Sequence, residues 1–335
     1  MTDDLVKLVT LFCEHGGRLE NMTIGYRQES GYNCSVIDSH HNATVFCPTD
    51  LLVDVDDISI SEAGLFIARP ENYASNIGFL EKYFSFHFDA RMVGKFLEEK
   101  RQIDSLSEHE KLLLKRINLP NVIDGMDEEL EYVKYRIIQS YQITSEPLVK
   151  KVIMPFVSLL NHDRDGAGFD VNKNGVTVSG KFNGEVFAHY QMGDVLMFLW
   201  GYGFVTDTMF IYSLPMRITF PNGISLQINN DISKFKRIDN KFRWPVVKNK
   251  DGVITVSWFP MYFKNGPWYP ARFAESLARE FNISAGNIIY SVFRFNLNAL
   301  LPIVFSLKNS ENSYIQMVVS GVERQLELIG GNEKN

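Results

Sequence analysis

The feature that most limits the fold is a change of texture along the chain: β-rich text breaks off for a long helical stretch and then resumes. From Met22 to Asp57, short runs (Met22–Tyr26, Cys34–Ile37, Thr44–Cys47, Leu51–Val55) alternate with turn residues. From about Ile60 to Ser145 the apolar spacing is mostly helical, over Tyr73–Phe86, Ala90–Arg101, Ser107–Arg116 and Glu128–Tyr141, and Leu148–Leu160 follows in the same manner. Ser107 with Glu110 three residues on has the spacing of a capping box. Short strands return at Gly168–Val171, Gly175–Ser179 and Gly184–His189, and a helix is predicted over Gly193–Trp200. Two hairpins follow, Met216–Phe220 with Ile224–Ile228 around Pro221-Asn222-Gly223, and Trp244–Lys248 with Ile254–Trp258 around Asp251-Gly252. Three helices close the chain: Tyr269–Phe281, Gly286–Leu307 (disturbed at Pro302) and Ser313–Ile329. The fold class read from this order is α+β.

Several classes of function drop out on bulk grounds. A formal charge of −6 over 335 residues is wrong for a protein that binds nucleic acid through a strongly basic surface, and it favours basic partners. Cys13, Cys34 and Cys47 are odd in number and widely spaced, which argues against a disulfide framework and a thiolate zinc site. No metal site is expected: Asp170 to Gly175 opens like a calcium loop, but the position that needs a bidentate glutamate holds Lys181. The basic and aromatic stretch Ser233–Lys250 reads as a solvated face or a surface for an acidic partner. The opening Met1-Thr2-Asp3-Asp4 is acidic where a secretory leader is basic. The apolar run near Ala299–Leu307 is short and interrupted by Pro302. The expectation is a cytoplasmic protein with no membrane partner.

Chemistry concentrates between residues 153 and 205. The apolar run Ile153-Met154-Pro155-Phe156-Val157-Ser158-Leu159-Leu160 ends in Asn161-His162. Gly184-Glu185 opens a short strand that delivers Tyr190, and Tyr202-Gly203-Phe204-Val205 comes twelve residues later. In order and spacing these segments resemble the SET-domain protein methyltransferases, in the branch of the Rubisco large-subunit lysine methyltransferases.

That resemblance implies a β-rich SET core with a pseudoknot, split by a helical insertion and followed by a mostly helical C-terminal domain. The core would occupy residues 1–205, with the insertion at about 85–150, and the substrate-binding domain 206–335. It also implies S-adenosylmethionine as cofactor, a protein substrate, and transfer of a methyl group to a lysine side chain. Tyr190 would be the catalytic residue, its hydroxyl beside the transferring methyl. Asn161 and His162 would hold the cofactor from the knot, together with the loop Ser30, Gly31 and Tyr32, and Tyr141. Tyr202 and Phe204 would line the lysine channel. The chain departs from the family's pattern at Asn33, where a second glycine is usual, and at Tyr141, where arginine is. It departs again at Ser158, in place of aspartate, and at Gln191, in place of glycine. Two alternatives stay open: a degenerate SET-fold binding protein, and methylation of another side chain such as histidine.

Overall fold

The computed structural model describes residues 3–27, 31–117, 128–137, 139–141, 150–190, 193–237, 243–264 and 269–331. Helices and short sheets are mixed throughout, the α+β class expected. The chain divides into two compact units, Met1–Arg101 with Asp127–Gln191, and Gln102–Met126 with Met192–Asn335.

The first unit is the β-rich one. Helix α1 (Asp3–Glu14) sets Leu5, Leu8 and Phe12 inward at helical spacing. The strands β1 (Arg18–Glu20), β2 (Met22–Arg27), β3 (Gly31–Val36), β4 (Ala43–Pro48), β5 (Val53–Asp54), β6 (Ile58–Ser61) and β7 (Gly64–Ile67) follow. β2 and β3 form an antiparallel ribbon and β6 and β7 another. Helices α2 (Ile77–His87) and α3 (Ala90–Asp104) come next; α4 (Glu108–Lys115), which groups with the second unit, carries the capping box expected at Ser107 and Glu110.

After α5 (Glu129–Ile137) the chain returns as β8 (Gln139–Tyr141), β9 (Lys150–Ile153), β10 (Asn161–Ala167), β11 (Phe169–Asn172), β12 (Gly175–Gly180) and β13 (Phe187–Ala188). Strand order in the main sheet is β1-β4-β12-β11, so text from both ends of the helical stretch meets in one sheet. The calcium-loop look-alike is the β11–β12 turn, where Asn172 faces Gly175 across the ladder. A core of aliphatic and aromatic side chains, from Leu5 to Ala188, joins these elements.

Two expectations fail here. Leu148–Leu160 does not form a helix: among its described residues it is β9 followed by a 3-10 turn at Val157–Leu159. Pro155 cannot donate to a helical ladder and disfavours a helical residue before it, while Val152 and Ile153 suit a strand. Tyr141 likewise ends strand β8, paired with Lys150, and not helix α5, which stops at Ile137.

The second unit contains α6 (Val195–Tyr202), then β14 (Phe210–Tyr212), β15 (Met216–Thr219), β16 (Ser225–Ile228), β17 (Phe235–Arg237), β18 (Arg243–Pro245), β19 (Val247–Lys250), β20 (Val253–Val256) and β21 (Pro260–Phe263). Both expected hairpins form, as β15–β16 and β19–β20, and they join in parallel through β16 and β20. Three helices close it: α7 (Tyr269–Phe281), α8 (Ala285–Leu307) and α9 (Ser313–Gly331).

Helix α8 runs through Pro302 and is long and apolar enough, by length and composition, to cross a membrane; a third of that apolar window is buried. Its buried face carries one amide. Asn296 accepts the Leu214 N–H at 2.8 Å and donates to Ser213 Oγ at 2.9 Å and to the Val292 carbonyl at 2.8 Å.

The longer segment of the second unit begins at Met192. Helix α6 groups with the second unit because it packs on α9: Leu196 N–H donates to Gln325 Oε1 at 3.3 Å, and Gly321 leaves room for Leu199. Part of the helical stretch groups there too. Gln102 caps α9, its Oε1 accepting from Ser313 Oγ at 2.5 Å and from Tyr314 N at 3.0 Å.

Candidate functional site

The site in the first unit is built on a backbone oddity. Phe156 has φ 63° and ψ −33°, a region that costs a non-glycine residue about 1–3 kcal/mol. It is held there by packing: its ring is fully buried, 4.5 Å from Phe12 and 5.5 Å from Tyr83, and its N–H donates to Tyr83 Oη at 3.2 Å. Tyr83 Oη also shares a 2.6 Å hydrogen bond with Ser158 Oγ, so Ser158 serves this buried anchor. The turn at Val157–Leu159 then aims Leu160, Asn161 and His162 along β10.

Strand β13 arrives from the other side. Gly184 and Glu185 are tied to β3 first: Val36 N–H donates to the Gly184 carbonyl and Val186 N–H to the Cys34 carbonyl, each at 2.7 Å. Burial and the Glu185 carboxylate push the Cys34 thiol up to about 12, so it stays a neutral packing group. β13 next pairs in parallel with β10, Asn161 opposite Phe187 and His162 opposite Ala188. This pairing brings three of the expected residues together.

The contacts are specific. Asn161 Nδ2 donates to Glu185 Oε1 at 2.6 Å. The Tyr190 hydroxyl donates to the Leu160 carbonyl in a short hydrogen bond, and Tyr190 N–H donates to His162 Nδ1 at 3.2 Å. The His162 ring lies 5.2 Å from that of Tyr190 and 5.7 Å from that of His189. Burial, with His189 adding to it, drops His162 to about 4, against a weaker upward pull from the Ala188 carbonyl and Asp163. The imidazole is therefore neutral near pH 7, as an Nδ1 acceptor must be. His189 Nδ1 is buried and has no hydrogen-bond partner among the described residues.

The remaining expected residues are dispersed or undescribed. Ser30 and Gln191 lie outside the described residues. Gly31 opens β3 opposite Arg27, and the Tyr32 ring packs at a tilt on Phe86 at 4.4 Å and edge-on to Tyr26 at 5.2 Å. Asn33, in the second-glycine position, is buried. Tyr141 is placed by its backbone in β8. Tyr202 and Phe204 belong to the second unit, where their rings stand 6.0 Å apart and each is 5.8 Å from Phe198. Gly203 between them caps α6 with φ 75°, a conformation glycine adopts at no steric cost.

Sequence reasoning used Glu185 only as a marker of spacing and missed its pairing with Asn161. It also missed the Leu160 carbonyl, His189 and Gly166. The only textual signal was the glutamate itself, five residues ahead of Tyr190. Among the described residues no group of His, Cys, Asp and Glu could hold a metal ion.

No protein-family model matches the chain, and no curated protein does. Among solved structures it is similar to one described as the SET domain of LSMT bound to MeLysine and AdoHcy, at 14% identity and a TM-score of 0.43, over 100% of this chain and 92% of that one. It is also similar to a Rubisco LSMT bound to AdoMet, at 11% identity and a TM-score of 0.42, over 100% and 92% of the two chains. A third is the SET domain of LSMT bound to lysine and AdoHcy, at 13% identity and a TM-score of 0.39, over 99% and 91%. The likeness is distant by both measures.

Proposed function

We propose that the chain is a SET-type protein-lysine N-methyltransferase that uses S-adenosylmethionine. The observation that supports this best is the grip of Leu160-Asn161-His162 on both ends of Tyr190, through its hydroxyl and its amide. The sequence motif requires that convergence and nothing in composition does.

The cofactor would supply an electrophilic methyl on a sulfonium, which leaves as a neutral thioether when the amine nitrogen attacks. What the protein must do is align and desolvate. Free lysine, with a pKa of about 10.4, must lose a proton to act, and an apolar aromatic channel lowers that value. Tyr190 donates its own proton to a carbonyl, so its oxygen presents acceptor character to a polarised methyl or an ammonium. Asn161 offers an amide oxygen for an amino acid's ammonium, and the buried His189 Nδ1 is a polar atom that a bound group would satisfy.

In this reading Gly31 and Tyr32, with Ser30 and Tyr141, border the cofactor, and Tyr202 and Phe204 shape the lysine channel. The C-terminal region, 206–335, selects the protein substrate, and the net charge of −6 suits a basic one. The setting is the cytoplasm.

Calorimetry with S-adenosylmethionine is the first test. Absence of binding at millimolar cofactor turns the reading toward a SET-fold binding protein. Given binding, Tyr190→Phe should slow methyl transfer by about tenfold or more with cofactor affinity preserved. Wild-type turnover in that variant removes Tyr190 from its role. Mass spectrometry of the labelled residue separates lysine from histidine as the acceptor.

A further inference from the structure

We propose that His162 is the positioning residue of Tyr190: its imidazole stands in for a backbone acceptor that strand β10 withdraws. The inference rests on the reading of Tyr190 as the residue that orients methyl transfer, and it assigns His162 a role other than holding cofactor.

The argument begins with the ladder. Asn161 and His162 pair in register with Phe187 and Ala188, but the next residue of β10 to face Ala188 is Ala167. Residues 163–166 bulge out of the pairing, which is how one strand re-aims a side chain on another. A Cβ at Gly166 would sit 2.7 Å from the Ala188 carbonyl carbon, so the two backbones touch where the bulge closes. The His189 N–H finds the Ala167 carbonyl at 2.8 Å. The Tyr190 N–H goes instead to a side chain, His162 Nδ1. A half-buried N–H with no acceptor is costly, so the imidazole fills a place the bulge leaves vacant.

The position suits histidine in particular. An aliphatic residue supplies no acceptor, and lysine or arginine supplies only donors. Neutral imidazole accepts at Nδ1 when its proton is on Nε2. The groups facing the ring are His189 and Tyr190 from β13 and its continuation, and Asp163 from β10. With its amide on His162 and its hydroxyl on Leu160, Tyr190 is fixed at both ends by two residues of one tripeptide. Its phenol cannot swing without breaking one of the two.

The test reads the Tyr190 amide directly, in ¹⁵N-labelled full-length protein. In wild type this resonance should titrate together with the His162 ring as pH is lowered, and its exchange with solvent should be slow. His162→Phe keeps an aromatic ring without an acceptor; it should speed exchange at Tyr190 by about tenfold, the worth of one net hydrogen bond. His162→Asn places a side-chain oxygen near the Nδ1 position and should restore protection. Where cofactor binds, His162→Phe should lower turnover on a lysine-rich polypeptide with the S-adenosylmethionine Kd within about twofold of wild type, and His162→Asn should recover it.

A Tyr190 amide that ignores the His162 titration, or exchanges equally in wild type and His162→Phe, overturns the inference. The wild-type titration needs no variant to fold. A wild type that binds no cofactor but shows the coupled titration refutes the methyltransferase reading and leaves the hydrogen bond standing, so the two failures are distinct.

Discussion

At the scale of single residues, the pair Asn161 and Glu185 is the most sensitive point. The 2.6 Å contact is a charge-assisted hydrogen bond between two half-buried groups. Asn161→Asp changes one atom type and sets two carboxylates face to face. Like charges at that distance cannot both ionise cheaply, so one pKa rises. The variant should lose about 1–3 kcal/mol of stability at pH 7 relative to wild type and recover part of that difference near pH 5, where one carboxylate takes a proton. Urea unfolding at the two pH values checks it. Equal losses at both would mean that the two carboxylates do not face each other. That the stretches holding Asn161-His162 and Tyr190 would meet was legible in the order and spacing of the motifs. The Asn161–Glu185 bond was not, since a sequence lists polar residues without saying which two will meet.

At the scale of elements, the closure of β10 on β13 depends on a position with no side chain. Gly166 sits 2.7 Å, measured from an added Cβ, from the Ala188 backbone, and backbone cannot give way as a flexible side chain can. Gly166→Ala should therefore pry the strands apart, with a cost of about 1–3 kcal/mol and a loss of exchange protection at His189 and Tyr190 ahead of the rest of the unit. Hydrogen exchange of the folded variant would show it; uniform protection would mean that the bulge absorbs the methyl.

The elements that the sequence disclosed are those with two agreeing signals. The β15–β16 hairpin has alternation on both arms and Pro221-Asn222-Gly223 between them. The capping box at Ser107 has both of its partners three residues apart. The stretch 148–160 gave a single signal, helical apolar spacing, and that signal was outvoted by Pro155 and by burial on both sides. A buried strand and a buried helix look alike when every residue is apolar.

At the scale of the molecule, acid should act on the two units in opposite senses. In the first, burial lowers His87 and His162 to about 4 from an ordinary 6.5. The unfolded chain binds more protons than the folded one between those values, so stability is lost as pH falls from about 6.5 toward 4. In the second, burial lifts Asp194 to about 6, against the backbone amides of Met197, Tyr212 and Leu196 that favour its charged form. There the folded state binds the extra proton, and stability rises as pH falls from about 6 toward 4.

Calorimetric scans at pH 7 and pH 5 should show the transition of the first unit moving down relative to that of the second. His87→Phe, which fills the site with an apolar ring, should flatten the pH dependence of the first. Transitions that move together would refute this opposition. None of it was visible in the text, where His87 is one of seven histidines and Asp194 one of 40 acidic residues. The shifts come from burial, which only the fold assigns.

Phe156 has a consequence for how the chain can drift in evolution. In the text it is one more core phenylalanine, interchangeable with any residue of its bulk. With φ at 63°, the choice narrows from two directions. Isoleucine or valine would match the apolar character but resist the twist, because a branched Cβ crowds the backbone there. Glycine would welcome the twist but surrender the ring that wedges between Phe12 and Tyr83. The turn ahead of the site is thus guarded by a residue whose tolerated replacements are few, although it is not itself one of the groups that would do chemistry.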